Sequence, residues 1–298
     1  MAPTARVLLA TLATLLLVVS PCHAWPVPWK TASTQGKTVD GITAIYNFGD
    51  SLSDTGNLLR EGDATGVLQY TTGLPYGSAI GGATGRCSDG YLMIDFLAKD
   101  LGLPLLNPYL DKGAADFTNG ANFAVAGATA LNATALARRG VVVPHTSSSL
   151  AVQMQWFKDL MRATTKSPQE IREKLAHSLV MVGEIGGNDY NYAFEANKPT
   201  AEAMVLVPDV VRAITNTARE LLDMGATRLV IPGNFPLGCV PSYMDRMCGS
   251  PGTTVCAKPD EYLSWDGVHL TQHAYRVMTD LLYHKGFASP APVQFQRA

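Results

Sequence analysis

Charge is scarce in this sequence: 16% of the 298 residues are charged, with 23 Lys+Arg against 25 Asp+Glu for a formal net charge of -2. That balance offers no surface able to neutralise a run of phosphates, so nucleic acid is not an expected partner. The 47% hydrophobic content excludes a disordered chain. Long apolar runs are also lacking. Residues 7–19 form the longest, preceded by Arg6 and followed by Pro21, Cys22, His23 and Ala24. This falls short of the ~18 residues a spanning helix needs, so no membrane span is expected. The segment reads as a secretory signal peptide over residues 1–24, which implies a secreted, extracellular protein. Cysteines number only five, no Cys-x-x-Cys pair occurs and no histidine accompanies the four that follow the signal segment, so no zinc site or other metal is expected. Cys22 leaves with the signal peptide. Cys87, Cys239, Cys248 and Cys256 remain, and four cysteines in an oxidising compartment allow three connectivities. Cys248 and Cys256 lie close together in a Gly- and Pro-rich loop and are the favoured disulfide; the pairing of Cys87 and Cys239 stays open.

Internal repeats and low-complexity segments are absent too. The sequence instead alternates short apolar runs with helical stretches, the pattern of an α/β fold with a parallel sheet wrapped by helices. Strands are expected at 42–48, 122–126, 178–182 and 228–231, the first three ending at Gly49, Gly127 and Gly183. Helices are expected at 91–101, 150–163, 169–177 and 208–224, with Gly225 as a C-cap, and a last one carries Leu270, Ala274, Val277, Met278 and Leu281. Residues 57–88 read as a long loop, and Gly186-Gly187-Asn188-Asp189 as a turn. The segment 232–265, interrupted by five prolines and four glycines, reads as a loop of 34 residues. Connections of that length are uncommon inside a compact domain.

Three strand ends carry unusual polar residues. Gly49-Asp50-Ser51-Leu52 follows the first, Gly127 the second, and Gly186-Gly187-Asn188-Asp189 the third. In an open parallel sheet the carboxyl ends of the strands line the ligand crevice, so residues distant in sequence can converge there. Asp266-Gly267-Val268-His269 adds a carboxylate and an imidazole three positions apart. Acyl transfer needs a hydroxyl nucleophile, a base, a carboxylate to orient the base, and donors for the oxyanion. Ser51 fits the first role, His269 the second and Asp266 the third, while the backbone N–H groups of Ser51 and Gly127 and the side-chain amide of Asn188 could form the oxyanion hole. Each piece also has a bland reading: a Gly-Asp-Ser after a strand is often only a turn, and His269 could be a helix-start or core histidine. His145, His177, His273 and His284 have no comparable polar context and read as surface or core residues. Asp50 and Asp54 lack the Asp-x-Asp spacing of a cation site.

The combination is more specific than its parts. Phe48-Gly49-Asp50-Ser51-Leu52-Ser53-Asp54-Thr55-Gly56-Asn57, Asn122-Phe123-Ala124-Val125-Ala126-Gly127-Ala128-Thr129, Gly186-Gly187-Asn188-Asp189 and Asp266-Gly267-Val268-His269-Leu270-Thr271, in that order, closely resemble the plant GDSL esterase/lipase family of the SGNH hydrolase superfamily. Gly85-Arg86-Cys87-Ser88-Asp89-Gly90 and Pro232-Gly233-Asn234-Phe235-Pro236-Leu237-Gly238-Cys239 also look like that family. The resemblance implies a secreted three-layer α/β/α hydrolase of carboxylic esters in the apoplast or cell wall, with no cofactor, and residues 25–298 as one domain. Ser51, Gly127, Asn188 and His269 would be its four signature residues and Asp266 the triad acid. Its substrate would be a small-molecule or cell-wall ester. Asn132-Ala133-Thr134 is the only N-glycosylation sequon.

Two departures stand out. Tyr91 occupies a position where many relatives have arginine. In the family, the segment before the Asp-x-x-His block also carries further helices, the last sheet strand and several cysteines, which this sequence lacks. The resemblance therefore implies a shortened form whose fourth strand is an unprotected sheet edge. Three functional readings follow: an active esterase, an acyltransferase sharing its acyl-enzyme, and a form in which the missing strand misplaces Asp266 and His269 and so prevents catalysis.

Overall fold

The computed structural model describes residues 39–62, 66–113, 115–234, 255–289 and 292–298. The signal segment 1–24 and residues 235–254, most of the long loop, lie outside the described residues.

Four strands form one sheet in the order β2-β1-β3-β4, with β1 at Ala44–Phe48, β2 at Gly120–Asn122, β3 at Ser178–Val182 and β4 at Arg228–Val230. Every pairing is parallel. Ala44 to Phe48 face Ser178 to Val182 residue for residue, and Ile45 lies opposite Gly120 on the other side. All carboxyl ends therefore emerge at one edge. The sequence follows from burial on both faces: β1 and β3 are buried at every position, so they read as continuous apolar runs.

Nine α-helices are described: α1 Asn57–Glu61, α2 Met93–Asp100, α3 Ala133–Ala137, α4 Leu150–Thr164, α5 Pro168–Ala176, α6 Gly187–Glu195, α7 Thr200–Met204, α8 Val207–Met224 and α9 Gln272–Thr279. Strand alternation splits the core in two. Tyr46, Phe48, Val180 and Val182 pack with Phe157 and Met161 of α4, Tyr192 of α6 and Leu221 of α8. Ile45, Leu179 and Met181 point the other way, to Phe96 and Leu97 of α2 and Tyr275 of α9. The result is the three-layer α/β/α sandwich that the resemblance implied. The buried positions of α4, Leu150, Gln153, Met154, Phe157, Leu160 and Met161, recur at helical spacing, and Phe157 meets Tyr46 edge-on at 5.3 Å. Gly225 ends α8 at φ 115°, where a side chain would be strained.

The second strand begins two residues earlier than expected and ends at Asn122 instead of 126. At Gly120 (φ +109°) a Cβ would lie 1.8 Å from the Ile45 carbonyl oxygen, so only glycine permits the close pairing with β1. Phe123 and Val125 still donate their N–H groups to Asn47 O (2.7 Å) and Gly49 O (3.2 Å), carrying the chain along β1 to Gly127. Segment 57–88 is not a plain loop, since it contains α1 and the 3₁₀ turns Gly66–Thr72 and Ser78–Ile80. The Gly-Gly-Asn-Asp turn is the start of α6, with Gly186 as its N-cap residue. Among the described residues β4 pairs only with β3, and Ile231 beside it is 45% exposed. No helix among the described residues is long and apolar enough to cross a membrane.

Candidate active site

The loop after β1 is held by buried polar contacts. Gln153, the one polar residue on the apolar face of α4, accepts from Gly49 N (2.9 Å) and donates to Gly49 O (2.8 Å). The Asp54 carboxylate accepts four backbone N–H groups, from Gly56 (2.7 Å), Asn57 (2.6 Å), Leu58 (3.1 Å) and Ala126 (2.8 Å). Asn57 donates to the carbonyls of Asn122 and Ala124, both at 2.8 Å. The loop bearing Ser51 is thereby joined to the chain leading into Gly127.

Ser51 Oγ lies 2.8 Å from His269 Nε2, and His269 Nδ1 lies 2.7 Å from Asp266 Oδ2. With the Nδ1 proton directed at the carboxylate, Nε2 is the lone-pair nitrogen facing the serine hydroxyl. The three-residue spacing is fixed locally: Asp266 Oδ1 accepts the N–H groups of Val268 (3.0 Å) and His269 (2.8 Å), and Trp265 N donates to His269 O (2.8 Å). Thr271, two residues on, caps α9 through Ala274 N. All three site side chains are buried, Ser51 at 7% exposure.

The electrostatics follow from that burial. Burial alone would raise the Asp266 carboxyl, but the His269 charge, the ring hydrogen bond and the two N–H groups outweigh it and hold the carboxyl below its ordinary range. Burial likewise disfavours a charged imidazole, yet Asp266, with a smaller contribution from the neighbouring Cys87, holds His269 well above an ordinary histidine. Asp50, desolvated and only partly compensated by Leu52 N–H and His269, is pushed up to about 7. Burial and the neighbouring Asp50 raise the Glu184 carboxyl well above its ordinary range, and its Oε2 has no hydrogen-bond partner among the described residues.

The remaining expected residues converge through α6. Gly127 follows the extended chain beyond β2, and its carbonyl accepts the Tyr192 hydroxyl at 2.8 Å. Asn188 Nδ2 donates one hydrogen to Ala128 O at 2.9 Å, which leaves its second N–H for another acceptor. Asp189 accepts from Ala130 N (2.8 Å) and Leu131 N (3.0 Å), so the first turn of α6 and the turn after Gly127 form one unit.

Several neighbours carried no sequence signal. Tyr76 donates its hydroxyl to Asp266 Oδ2 at 2.8 Å across 190 positions. Cys87 is buried beside His269. His145, read from sequence as a surface or core residue, packs next to Gly127 and Tyr192. Gln153 alone was detectable, as an amide in an apolar stripe. Asn132 is exposed and its side chain caps α3. Cys239 and Cys248 lie outside the described residues, and with them the expected Cys248–Cys256 bridge. Among the described residues no group of three or more His, Cys, Asp or Glu could hold a metal ion.

Residues 45–263 match the sequence model of the family described as GDSL-like Lipase/Acylhydrolase, a stretch that ends just before Asp266. Acetylajmalan esterase 1 of Rauvolfia serpentina is 34% identical over 337 aligned positions, covering 84% of this chain and 88% of that protein. A GDSL esterase/lipase of Arabidopsis thaliana is 32% identical over 339 positions, covering 84% of this chain and 88% of its own length. A second from the same plant is 34% identical over 343, covering 83% and 91%. Each alignment is longer than the 298-residue chain, so these relatives carry residues that this chain lacks inside the matched span.

Proposed function

The chain belongs to the GDSL-like lipase/acylhydrolase family and is a carboxylic ester hydrolase, and from that premise we propose that it works through an acyl-enzyme formed on Ser51. The observation that carries this reading is the continuous hydrogen-bond chain from Ser51 Oγ through His269 to Asp266, at 2.8 and 2.7 Å. Ser51 Oγ attacks the ester carbonyl carbon while its proton passes to His269 Nε2. Asp266 stabilises the imidazolium so formed. The oxyanion accepts hydrogen bonds from the backbone N–H groups of Ser51 and Gly127 and from the second N–H of Asn188. As the tetrahedral adduct collapses, the C–O bond to the alcohol breaks and His269 returns the proton to the departing oxygen. A water then gives its proton to His269 and attacks the acyl carbonyl, releasing the acid and restoring Ser51.

The reading in which the shortened chain misplaces its catalytic groups has support in the extra length of the relatives. The contact distances at Ser51, His269 and Asp266 favour the active reading over it. An acyltransferase would use the same acyl-enzyme with an alcohol in place of water, and product analysis with a competing alcohol separates the two. Acetyl esters are the first substrates to try, since the Rauvolfia relatives are named acetylajmalan esterases. The signal-like residues 1–24 support secretion, with residues 25–298 as one hydrolase domain, and the exposed Asn132 supports glycosylation. N-terminal sequencing and a glycosidase mobility shift test these two points. The hydrolytic role is tested by Ser51→Ala, which should abolish p-nitrophenyl acetate hydrolysis with the far-UV circular dichroism unchanged. Hydrolysis at the parental rate would show that Ser51 is not the nucleophile.

A further inference from the structure

The Asp266 carboxylate is shared more widely than a Ser-His-Asp arrangement requires. Oδ1 accepts two backbone N–H groups, whereas Oδ2 accepts both the His269 ring (2.7 Å) and the Tyr76 hydroxyl (2.8 Å). Tyr76 is fully buried and its ring meets Trp265, the residue before Asp266, edge-on at 5.8 Å and 85°. Its backbone is anchored as well. Tyr76 N donates to Gly73 O (3.2 Å), Gly77 N to Ser88 O (3.0 Å) and Ala79 N to Asp89 O (2.8 Å), while the Asp89 carboxylate accepts Gln272 N (2.7 Å) at the start of α9. The phenol therefore approaches the carboxylate from a frame tied to the same helix that follows His269.

We propose that Tyr76 is a positioning residue of the hydrolase: its hydroxyl fixes the Asp266 carboxylate and withdraws charge from the oxygen that holds His269. This rests on the acyl-enzyme reading only for its kinetic consequence. A hydrogen-bond donor on Oδ2 weakens the pull of that oxygen on the imidazolium proton, so the histidine releases its proton more readily than it would opposite an unshared carboxylate. The other titratable groups facing the pair are Cys87, buried beside the imidazole, Asp50 on the nucleophile loop, and Tyr275 of α9, whose hydroxyl accepts Leu270 N. None of them donates to Asp266 Oδ2 through a hydrogen bond described above, so a substitution at position 76 isolates the phenol.

The test titrates the His269 ring by NMR in the parent, in Tyr76→Phe, and in protein with 3-fluorotyrosine at position 76, and records kcat/KM for p-nitrophenyl acetate over the same pH range. Tyr76→Phe keeps the ring against Trp265 and removes the hydroxyl that donates to Asp266. Its His269 midpoint, and the acid limb of kcat/KM with it, should move up by roughly 0.5–1 pH unit. The fluorinated phenol is a stronger donor and should move both the opposite way, and its sign alone decides the matter if the Phe form does not fold. A His269 midpoint unchanged by either substitution overturns the proposal. A parent without esterase activity whose midpoint nevertheless shifts as described would sink the hydrolase reading and leave the role of Tyr76 standing.

Discussion

Removing the Asp54 carboxylate should destabilise the protein more than its distance from the reacting atoms suggests. Asp54 is fully buried, and its two oxygens accept four backbone N–H groups at 2.6 to 3.1 Å. Three of these belong to the turn entering α1, and the fourth, Ala126 N, belongs to the chain just before Gly127. A buried donor left unpaired costs ~1–3 kcal/mol. Burial also raises the carboxyl of Asp54 in spite of its N–H partners, so deleting it recovers part of a desolvation cost. The net loss for Asp54→Ala is then about 3–5 kcal/mol, a large fraction of the ~5–15 kcal/mol that holds a domain together. Asp54→Asn keeps one acceptor oxygen but turns an NH₂ toward either the Gly56 and Asn57 pair or the Leu58 and Ala126 pair, and should lose about 2 kcal/mol. Urea unfolding followed by tryptophan fluorescence measures both, and turnover of p-nitrophenyl acetate reports whether the Ala126 link holds the oxyanion donors. An Asp54→Ala midpoint equal to the parent's would refute the reasoning that this carboxylate clamps the two loops together.

Asn188→Ala should lower kcat by ~10²–10³ with KM little changed, because in the proposed mechanism its second N–H bonds an oxygen that becomes charged only in the transition state; steady-state kinetics check it, and a change confined to KM would assign Asn188 to substrate positioning. Activity should rise with pH as His269 loses its proton, and the limb should be centred above 6.5 because Asp266 holds the imidazolium. A kcat/KM profile flat from pH 5 to 8 would count against a histidine base. Glu184, with its carboxyl raised well above 4.5, keeps a proton in the folded state that the unfolded chain releases, so stability falls as pH rises from about 4.5 toward the raised value. Glu184→Gln removes that slope, and calorimetry at pH 5 and 8 should show a narrower gap in Tm than the parent; an equal gap would place the pH dependence elsewhere.

What the sequence revealed depended on how local the signal was. β3 was legible to the residue because both its faces are buried, and α4 and α8 because their apolar stripes run over several turns. α6 was hidden, since Gly186 and Gly187 at its start and polar residues through its first turn read as a turn. β2 was displaced by Gly120, whose role is a tertiary approach to Ile45 that no local pattern encodes. Ser51, Asp266 and His269 could be named because polar residues at strand ends and an Asp-x-x-His spacing carry chemical meaning by themselves. The structure brings them within hydrogen-bond distance, despite the expectation that a shortened chain could hold them apart. Tyr76, Cys87 and His145 could not be found that way. They enter the site through the convergence of separate loops; of the three only Cys87 stands in a family-like block, residues 85–90, and that block by itself gives it no role.

Activation of Ser51 by His269 makes the serine reactive toward electrophiles that ordinary hydroxyls ignore. The most direct measurement is mass spectrometry of the purified protein after exposure to a fluorophosphonate, which reacts with an activated serine and not with an ordinary hydroxyl. One phosphonyl adduct is expected, located on the peptide containing Ser51, absent from His269→Ala and formed faster as pH rises through the His269 midpoint. An unlabelled Ser51, or equal labelling in His269→Ala, would contradict it.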